Sequence, residues 1–533
     1  MSWVRPYDWC DQTGAMTAGK AFAYPDDLGA RDRRGPRKNV ALIGGGIAGL
    51  SAAFELAVLG HRVTIFEAAA RFGGRIFTER FGDRGGPYAE LGAMRIPYGH
   101  GCVDHYVSTF RLRTRPFVSD NTNAYYAFRG QRTRRWDWPA AAALFGSARD
   151  WPLVARDLAS SQPRPSPAEM WGQVLGRWSQ AQLAQMESRS LAQLAADAIE
   201  RGFVSAEDWA WLRQVKGFGW IDDASVLFWD NVGALLDAVG RYELEGGMGT
   251  LVDAFVAALT GLDNVRLRLQ APVSRVQLDA TSVRVTTHQT EQFDYAIVAL
   301  PAPCVARLTF GPELPADQMD ALRAVYYFPI AKSVALCDQR FWEADGIFGG
   351  SSATDLPNQQ VWYPSDNARP LTDADADHLE VRLATFGLQL GAEAPSEPTE
   401  WKARDRDVSA GPGALIAGYM WGINAQRFAS LAAMDRDQLI RECLERIHPG
   451  TSGHVKQIVH RVWAEQVSPG GGGFAYFRPT EQRRFGALLC QPHGVSESKR
   501  VFFAGEHDGI AQGWIQGAIQ SALAAVASVL GSP

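Results

Sequence analysis

Short apolar runs separated by glycines open the regular pattern of this chain. Val40 to Ile43 is a run of four apolar residues typical of a buried strand, and the glycine-rich stretch Gly44 to Gly49 follows it. An apolar helical stretch then runs to about Gly60, and Val63 to Phe66 forms a second short strand that ends at Glu67. The pattern predicts a unit of strand, glycine turn, helix and strand.

The periodicity changes to that of helices between residues 139 and 213, which predicts a mostly helical insertion. Ser190 and Gln193 have the spacing of a capping box, and they precede an apolar face made of Leu191, Leu194, Ala195 and Ile199. The proline-rich segment 163–167 cannot be helical, so we expect it to be a surface connection between two helices.

Strand character returns in the second half of the chain, where we expect the polypeptide to revisit the first domain. A mixed region extends to about Gly450, and an apolar strand and a long helix close the chain. The predicted elements are strands at Val265 to Leu269, Val273 to Leu278, Val283 to Thr287, Tyr295 to Leu300 and Val501 to Ala504, and a helix from Trp514 to about Leu530.

Length and charge narrow the class of protein. A chain of 533 residues is too long for one hydrophobic core, so we expect two or three intermingled domains. A net charge of -5 gives no basic field for a phosphate backbone or an anionic membrane, so nucleic acid is not favoured as a partner. No run reaches the roughly 18 apolar residues of a membrane span, and residues 1–20 lack the apolar stretch of a secretory signal. We expect a soluble, cytoplasmic protein without a membrane partner.

The six cysteines do not indicate a metal site or a disulfide framework. They lie far apart, without a C-x-x-C pair and without a histidine at metal-ligand spacing. We therefore expect reduced thiols and no metal.

The glycine spacing at the first turn predicts a dinucleotide site. In Gly44-x-Gly46-x-x-Gly49 the first glycine permits a tight turn, the second lets a pyrophosphate approach, and the third lets helix and strand pack closely. The phosphates would lie at the helix N-terminus. Glu67, at the end of the next strand, is placed to accept hydrogen bonds from ribose hydroxyls.

Further motifs favour FAD over NAD and carry a family resemblance. Gly73-Gly74-Arg75, the sequence E-L-G-A-M-R-I-P at residues 90–97, and A-G-E-H-D-G-I-A-Q-G-W-I-Q-G-A-I-Q-S at residues 504–521 occur together. With these motifs the chain resembles the flavin amine oxidase family, most closely its L-amino-acid oxidase and amino-acid 2-monooxygenase branch. The resemblance extends from about Asn39 to Leu530.

The resemblance implies an α/β (α+β) fold with a Rossmann-like FAD-binding domain, an interleaved substrate-binding domain and the helical insertion. After an N-terminal extension and linker (1–37), the FAD-binding domain would comprise 38–105, 241–325 and 455–533. The substrate-binding domain would comprise 106–138 and 326–454, and the insertion 139–240. A homodimer is expected by the same resemblance.

The resemblance also implies which residues hold the cofactor. Glu67 and Arg75 would bind the adenosine and phosphate part of FAD, Val273 the adenine through its backbone, and Glu506 the ribityl-pyrophosphate region. No cysteine occurs in Gly470 to Phe474, where some family members attach FAD, so we expect non-covalent FAD. The full set of expected FAD-binding residues is Gly44, Gly46, Ala48, Gly49, Glu67, Arg75, Gly92, Ala93, Met94, Arg95, Val273, Glu506, Gly513, Trp514 and Ile515.

Arg95 is the expected anchor of the substrate. The matching arginine of the family binds a carboxylate, and a guanidinium presents a fork of donors that suits an α-amino acid. Tyr419 would help bind the carboxylate, and Trp421 and Trp514 would wall the pocket, although a core role for Trp421 is an equal alternative. Lys332 matches the family lysine that assists the reaction with oxygen; a lysine that snorkels to the surface is the alternative. The expected catalytic residues are Arg95, Lys332, Tyr419 and Trp514.

Asp222 and Asp223 leave two interpretations open. Their stretch resembles a wall of the substrate pocket, where a carboxylate would pair with a cationic side chain. A helix N-terminal cap before Ala224 to Trp229 is favoured over that role.

The expected reaction is FAD-dependent oxidation of an L-α-amino acid, with O₂ as the second substrate. Hydride would pass from Cα to flavin N5, and the imine would hydrolyse to a 2-oxo acid and ammonia while O₂ becomes H₂O₂. An L-amino-acid 2-monooxygenase that yields an amide, CO₂ and water uses the same residues and is the alternative. An amine or polyamine oxidase is disfavoured by Arg95, and a non-catalytic flavin-binding partner protein is disfavoured by the intact set of site residues.

Overall fold

The computed structural model describes most of the predicted FAD and substrate regions and little of the predicted insertion. The described residues are 24–25, 28–32, 37–83, 85–137, 140, 143–144, 185, 187–202, 205–207, 209–210, 222–225, 241–370, 401–465, 471–509 and 511–532. The expected surface connection at residues 163–167 lies outside them, as do most of residues 1–37.

A six-stranded sheet forms the nucleotide-binding part of the molecule. All neighbouring strands in it are parallel except the last pair, and the helix Ile47–Val58 connects Asn39–Ile43 to Arg62–Phe66 as the hydrophobic pattern predicts. The strands in spatial order are Val265–Arg268, Arg62–Phe66, Asn39–Ile43, Tyr295–Val298, Ser498–Phe503 and His493–Val495.

The middle segment only partly rejoins this sheet. Val265–Arg268 and Tyr295–Val298 do so, whereas the strands between them join Thr309–Gly311 in a separate four-stranded sheet. Its order is Thr290–Phe293, Val283–Thr286, Arg275–Leu278 and Thr309–Gly311. The assignment of the strands near residues 275 and 283 to the FAD-binding domain stays a prediction, but these strands lie outside the first sheet. Their side chains alternate between buried and more exposed positions, as in a half-buried antiparallel sheet.

A seven-stranded sheet supports the other side of the cavity described below. Its second strand, Ile330–Cys337, pairs antiparallel with Gly413–Trp421 and with the edge strand Val455–Val462, so the segment 455–533 contributes its first strand to this sheet. The spatial order is Val455–Val462, Ile330–Cys337, Gly413–Trp421, Gln360–Trp362, Ser351–Thr354, Tyr125–Phe128 and Gln131–Arg134.

Four smaller sheets contain the remaining strands of the described residues. They pair Thr78–Arg80 with Tyr88–Glu90, Tyr326–Tyr327 with Ala475–Tyr476, Ala368–Pro370 with Trp401–Ala403, and Arg241–Leu244 with both Ile96–Pro97 and Thr114–Phe117.

Helices cover one face of the nucleotide-binding sheet, the four-stranded sheet and short helices cover its other face, and helices also pack on the seven-stranded sheet. The capping box predicted at Ser190 and Gln193 is present at the start of Leu191–Glu200. Each helix in the described residues is too short or too polar to cross a membrane. The α-helices are Leu28–Arg31, Ile47–Val58, Gly101–Thr109, Leu191–Glu200, Gly249–Thr260, Ala302–Val305, Ala316–Ala324, Phe341–Ala344, Arg406–Ala410, Ile423–Ala429, Ala433–Ile447, Glu481–Leu489 and Ile515–Gly531; short 3₁₀ turns lie at Ser452–His454, Trp463–Glu465 and Glu506–Asp508.

Candidate active site

A cavity of about 1160 Å³ lies where the parallel strands of the first sheet end. Gly44, Glu67 and Ala299, which directly follow three of these strands, line it, as does Gly505, two residues after the end of a fourth. Ligands in open α/β sheets bind outside the carboxyl ends of the strands, so this is the place that the fold provides for a cofactor.

The glycine turn has the geometry that its spacing predicts. Gly44 has φ +109°, and a Cβ there would lie 2.4 Å from the carbonyl oxygen of Ala299. A Cβ on Gly49 would lie 1.9 Å from the carbonyl oxygen of Gly44, so close packing of helix and strand requires glycine. Gly46 leaves open space at the N-terminus of the helix Ile47–Val58, where backbone N–H groups attract phosphate.

Glu67 closes this turn and faces the cavity. Its buried carboxylate accepts hydrogen bonds from the backbone N–H of Gly45 and of Ala69, both at 2.7 Å. A carboxylate has about four lone-pair sites, so it keeps acceptor capacity for ribose hydroxyls. The position and the remaining acceptors fit the adenosine part of FAD.

Arg75 and Glu506 join three distant segments beside the cavity. Arg75 Nη1 lies 2.6 Å from Glu506 Oε1 and donates to the carbonyl of Gly473 at 3.2 Å. The Glu506 carboxylate also accepts from the N–H of Ala475 at 2.8 Å and of Gly513 at 3.0 Å. This network fixes the backbone that a pyrophosphate and ribityl chain would contact.

The last helix points its N-terminus into the same cavity. Trp514 is the residue before Ile515–Gly531, and Trp514 and Ile515 both line the cavity. The positive end of this helix dipole favours negative charge, as on a reduced flavin ring. These two residues therefore lie where the sequence predicted them.

Lys332 is buried in the opposite wall rather than at the surface. The residue is 2% exposed, and its Nζ donates to the carbonyl of Gly92 at 2.7 Å and contacts Met94 Sδ at 3.4 Å. Burial lowers the pKa of Lys332 to about 7; Glu90 raises this pKa and Arg95 lowers it. The snorkelling alternative is wrong, because strand Ile330–Cys337 places this side chain inward, over the ring of Tyr419 at 4.4 Å.

Arg95 lies beside this wall in a half-buried aromatic setting. Its guanidinium is 4.9 Å from the ring centroid of Trp362 and 5.6 Å from that of Phe117. Burial raises the pKa of Tyr419 to about 12, and the nearby Arg95 charge opposes that rise. The structure thus brings Arg95, Lys332 and Tyr419 together, although Arg95 does not itself line the cavity.

Aromatic side chains complete the wall around Tyr419. The rings of Tyr419 and Trp421 are 5.1 Å apart, and Trp421 is 5.6 Å from both Phe328 and Phe474. Tyr419 and Phe474 line the cavity, whereas Trp421 packs behind them. For Trp421 the core alternative is therefore the better description of the structure.

Asp222 and Asp223 lie away from the cavity. Asp223 accepts a hydrogen bond from Tyr476 Oη at 2.7 Å and lies 3.4 Å from Arg478 Nε, with its side chain about half exposed. Ala224 and Ser225 are not helical, and Ser225 bridges to Ser190, so a helix cap directly before Ala224 is wrong. The remainder of that stretch lies outside the described residues.

The predicted set and the observed lining overlap strongly. Predicted residues that line the cavity are Gly44, Gly46, Ala48, Glu67, Arg75, Gly92, Ala93, Lys332, Tyr419, Glu506, Gly513, Trp514 and Ile515. Among the described residues, the predicted ones that do not line it are Gly49, Met94, Arg95, Val273, Trp421, Asp222 and Asp223. Gly49 and Met94 support residues that do line it.

Sequence reasoning missed several lining residues. Ile330 lies two positions before Lys332 on one strand, so the two-residue period of a strand was a usable signal. Ala299, Leu300 and Pro301 follow the strand Tyr295–Val298, and the carboxyl-end rule would have found them. Ile47, Gly73, Gly74, Gly473, Phe474, Gly505 and Ala518 lie inside stretches that the sequence analysis connected with FAD but were not singled out, and no local signal indicated Ala68, Ile76, Cys304 and Trp463.

Comparison with known proteins also points to a flavin-dependent oxidase. A family model described as flavin-containing amine oxidoreductase matches residues 47–530. An L-amino-acid oxidase of Vipera ammodytes ammodytes is 29% identical over 516 residues, which cover 92% of each chain. L-amino acid oxidase Bs29 of Bothriechis schlegelii is 27% identical over 512 residues, covering 92% of this chain and 90% of that protein.

Solved structures share the fold. Cyclohexylamine oxidase from Brevibacterium oxydans IH-35A has a TM-score of 0.65 at 20% identity, with 93% of this chain and 99% of that chain covered. Putrescine oxidase bound to putrescine has a TM-score of 0.63 at 18% identity, with 92% and 99% covered. The predicted fold class and the FAD cofactor are confirmed. The chain belongs to the family of flavin-containing amine oxidoreductases.

Proposed function

We propose that this protein oxidises an L-α-amino acid to its imino acid, which hydrolyses to a 2-oxo acid and ammonia, with O₂ reduced to H₂O₂. The observation that carries the proposal is the position of Arg95 beside Tyr419 and Lys332, at the edge of a cavity built for FAD. The L-amino-acid oxidases among the relatives support it.

Arg95 and Tyr419 hold the carboxylate of the substrate in this proposal. The guanidinium donates a bidentate pair of hydrogen bonds, and the buried phenol, which stays protonated, donates another. Stacking on Trp362 limits the orientations of the guanidinium. The chain therefore accelerates the reaction chiefly by fixing Cα in one orientation.

FAD, when bound, supplies the two-electron acceptor. Around it the chain excludes water with Trp463, Phe474, Trp514 and Ile330, which line the cavity. Lys332 places an ionisable amine in this apolar wall, where it holds or releases a proton at its Nζ. We propose that this amine serves the reaction with O₂ and that FAD is held without a covalent bond.

The protonation state of the substrate sets the expected pH dependence. Only a neutral amine has the lone pair that drives hydride departure from Cα, so kcat/KM rises with pH through a substrate-linked ionisation. Steady-state rates between weakly acidic and alkaline pH test this point. A flat profile contradicts it.

An anaerobic screen tests the function as a whole. Glycine, the other nineteen amino acids in their L- and D-forms, and a set of primary amines are each mixed with the yellow holoenzyme, and loss of the flavin absorption near its visible maximum is recorded. We expect bleaching with L-forms, and 2-oxo acid, ammonia and H₂O₂ after air is admitted. Bleaching by primary amines alone overturns the proposal, and an amide with CO₂ identifies the 2-monooxygenase outcome instead.

The oligomeric state and the cellular compartment do not alter the proposed chemistry. We propose a cytoplasmic homodimer that takes up an amino acid and O₂. Sedimentation velocity of the purified holoenzyme gives the oligomeric state, and fractionation of the producing cells gives the compartment.

A further inference from the structure

A second cavity lies behind the wall that carries Lys332. It has a volume of about 490 Å³, and its lining includes Glu90, Met94 and a set of charged or phenolic groups that the proposed reaction does not use. These groups are Tyr88, Arg115, Glu243 and Asp366.

Glu90 lines the second cavity and lies close in sequence to a residue that lines the first. It belongs to the strand Tyr88–Glu90, and two residues later the carbonyl of Gly92 accepts the hydrogen bond from Lys332 Nζ. Gly92 and Lys332 line the first cavity, whereas Glu90 lines the second. A buried carboxyl that lines one cavity thus lies two residues from the carbonyl that accepts from a buried amine lining the other.

The carboxyl group of Glu90 is held firmly. It is buried, accepts from Thr78 Oγ1 at 2.9 and 3.0 Å, and accepts from the N–H of Met248 at 2.7 Å. Met248 precedes the helix Gly249–Thr260, so the carboxyl lies at a helix N-terminus. These contacts fix the orientation of the carboxyl group.

Few other charges face the pair. The charge of Arg95 acts on Lys332. Arg461 is the cross-strand neighbour of Lys332, and its guanidinium stacks on Phe77 and Trp463. Glu243 and Tyr88 face Glu90 across the second cavity, where Arg115 lies 2.6 Å from Glu243. Asp366 is paired with Arg340. Lys332 is therefore the cation whose charge acts on Glu90.

The reaction with oxygen needs one proton from the protein. Reduction of O₂ to H₂O₂ takes two electrons and two protons, and an anionic reduced flavin brings two electrons and one proton. We propose that Glu90 is the electrostatic partner that keeps Lys332 protonated: the carboxyl and the amine together carry one proton, and Lys332 Nζ, which lines the first cavity, gives that proton up when O₂ is reduced and regains one from solvent afterwards.

The pair suits this task because its net charge stays at zero in both of its one-proton forms. Either the amine carries the proton and the carboxyl is ionised, or both groups are neutral. Burial is the main reason that the pKa of Glu90 rises to about 7 and that of Lys332 falls to about 7. Glu90 acts through Lys332 and is a positioning residue. The inference rests on the proposed oxidase function.

The test measures reoxidation of chemically reduced holoenzyme, so that no amino-acid substrate is needed. Flavin is reduced anaerobically with a stoichiometric amount of dithionite, mixed with O₂ in a stopped-flow instrument between pH 6 and 10, and followed at its visible maximum. In wild type we expect the rate to fall as the pair loses its proton. Glu90→Gln leaves the lysine buried without a counter-charge. The falling limb of the pH profile of the reoxidation rate therefore moves at least one pH unit lower, and the rate at pH values above that limb drops about tenfold.

Matched variants separate this role from a general effect. Glu79→Gln removes a half-exposed carboxylate from the strand paired with that of Glu90 and leaves the limb in place. Glu90→Asp keeps the charge, so we expect its falling limb to lie between those of wild type and Glu90→Gln. If Glu90→Gln does not retain flavin, Glu90→Asp takes its place in the comparison. In a Lys332→Met background, Glu90→Gln has no further effect on the profile.

A second measurement does not depend on turnover. The visible flavin absorption of the resting holoenzyme is titrated with pH, because the charge on a lysine beside the ring perturbs the spectrum. We expect the midpoint to move to lower pH in Glu90→Gln. Superimposable titrations and reoxidation profiles for wild type and Glu90→Gln overturn the inference, whereas a failed amino-acid screen with a shifted limb overturns only the proposed function.

Discussion

Arg95 shows how a single guanidinium is prepared for a carboxylate before any ligand arrives. It is half-buried, stacks on Trp362, and influences the ionisation of Tyr419 and Lys332. A planar fork held against an aromatic face loses less freedom on binding than an exposed side chain does. The site therefore favours an anionic head group over an amine that lacks one.

Substitution of Arg95 tests this preference. Hydrogen bonds to charged groups contribute about 1.5–3 kcal/mol, which corresponds to a rise in KM of roughly tenfold to 150-fold in Arg95→Met. Arg95→Lys keeps the charge without the fork and gives a smaller rise. Arg113→Met removes an arginine whose side chain is 83% exposed and serves as the control. Unchanged KM in Arg95→Met, measured with the best amino acid of the screen, contradicts the role.

Asp508 is expected to make the protein less stable as pH rises, because its carboxyl is buried without a hydrogen-bond partner. Burial, with a contribution from Glu506, raises the pKa of Asp508 to about 8. The folded protein thus keeps this group protonated where the unfolded chain ionises it. Stability contributed by Asp508 is complete below about pH 4 and is lost as pH rises to about 8.

Asp508→Asn removes this dependence while it preserves the shape of the neutral acid. Thermal unfolding of wild type and variant is compared at intervals from pH 5 to pH 8. The melting temperature of the variant rises relative to wild type as pH increases. A difference that stays constant over this range shows that Asp508 does not titrate as the structure indicates.

At the scale of elements, Lys38 ties the first strand to the end of the last helix. The residue is buried, and its Nζ donates to the carbonyls of Val529 at 2.7 Å, Leu530 at 3.3 Å and Ser532 at 2.6 Å. These are the acceptors that a helix C-terminus leaves unpaired, and a cation also complements the negative end of its dipole.

Lys38→Met therefore loosens the C-terminal helix. We expect a loss of about 1–3 kcal/mol in the free energy of unfolding, because buried carbonyls lose their charged donor. Urea unfolding measures the loss, and hydrogen exchange localises it to the last turns of Ile515–Gly531. Lys499→Met, at an exposed lysine, is the control. Equal hydrogen exchange in the last helix of both variants contradicts this role of Lys38.

Elements with strong local patterns were predictable, and contacts between distant elements were not. The run Val40 to Ile43 and the apolar stretch after Trp514 became a strand and a helix within one or two residues. The strand near Val283 was recognised, but the separate sheet that it forms with its sequence neighbours Arg275–Leu278 and Thr290–Phe293 was not. Trp463 and Cys304 were missed in the cavity because segments far away in sequence bring them there, and for the same reason the sequence left the place of Trp421 open.

At the scale of the whole molecule, the cavity unites parts of the chain that are almost 500 residues apart. Gly44 lies near the start, Ala299 in the middle, and Trp514 close to the end, and all three line one space. A cofactor that fills this space contacts every segment at once. Its binding energy is therefore available to hold the two large sheets in their relative positions.

Removal of FAD should accordingly lower the stability of the whole molecule. A ligand that binds only the folded state, present at about 100 times its Kd, adds about 2.7 kcal/mol to the free energy of unfolding. We expect the melting temperature of the apoprotein to rise with added FAD, and less with FMN, which leaves the space beside Glu67 unfilled. Glu67→Gln weakens the FAD response and also lowers the melting temperature of the apoprotein, because its amide has one oxygen for the two backbone N–H groups of Gly45 and Ala69. Apoprotein and holoprotein that melt together, or equal responses to FMN and FAD, contradict this view, because the adenosine end of the cavity would then contribute nothing to the fold.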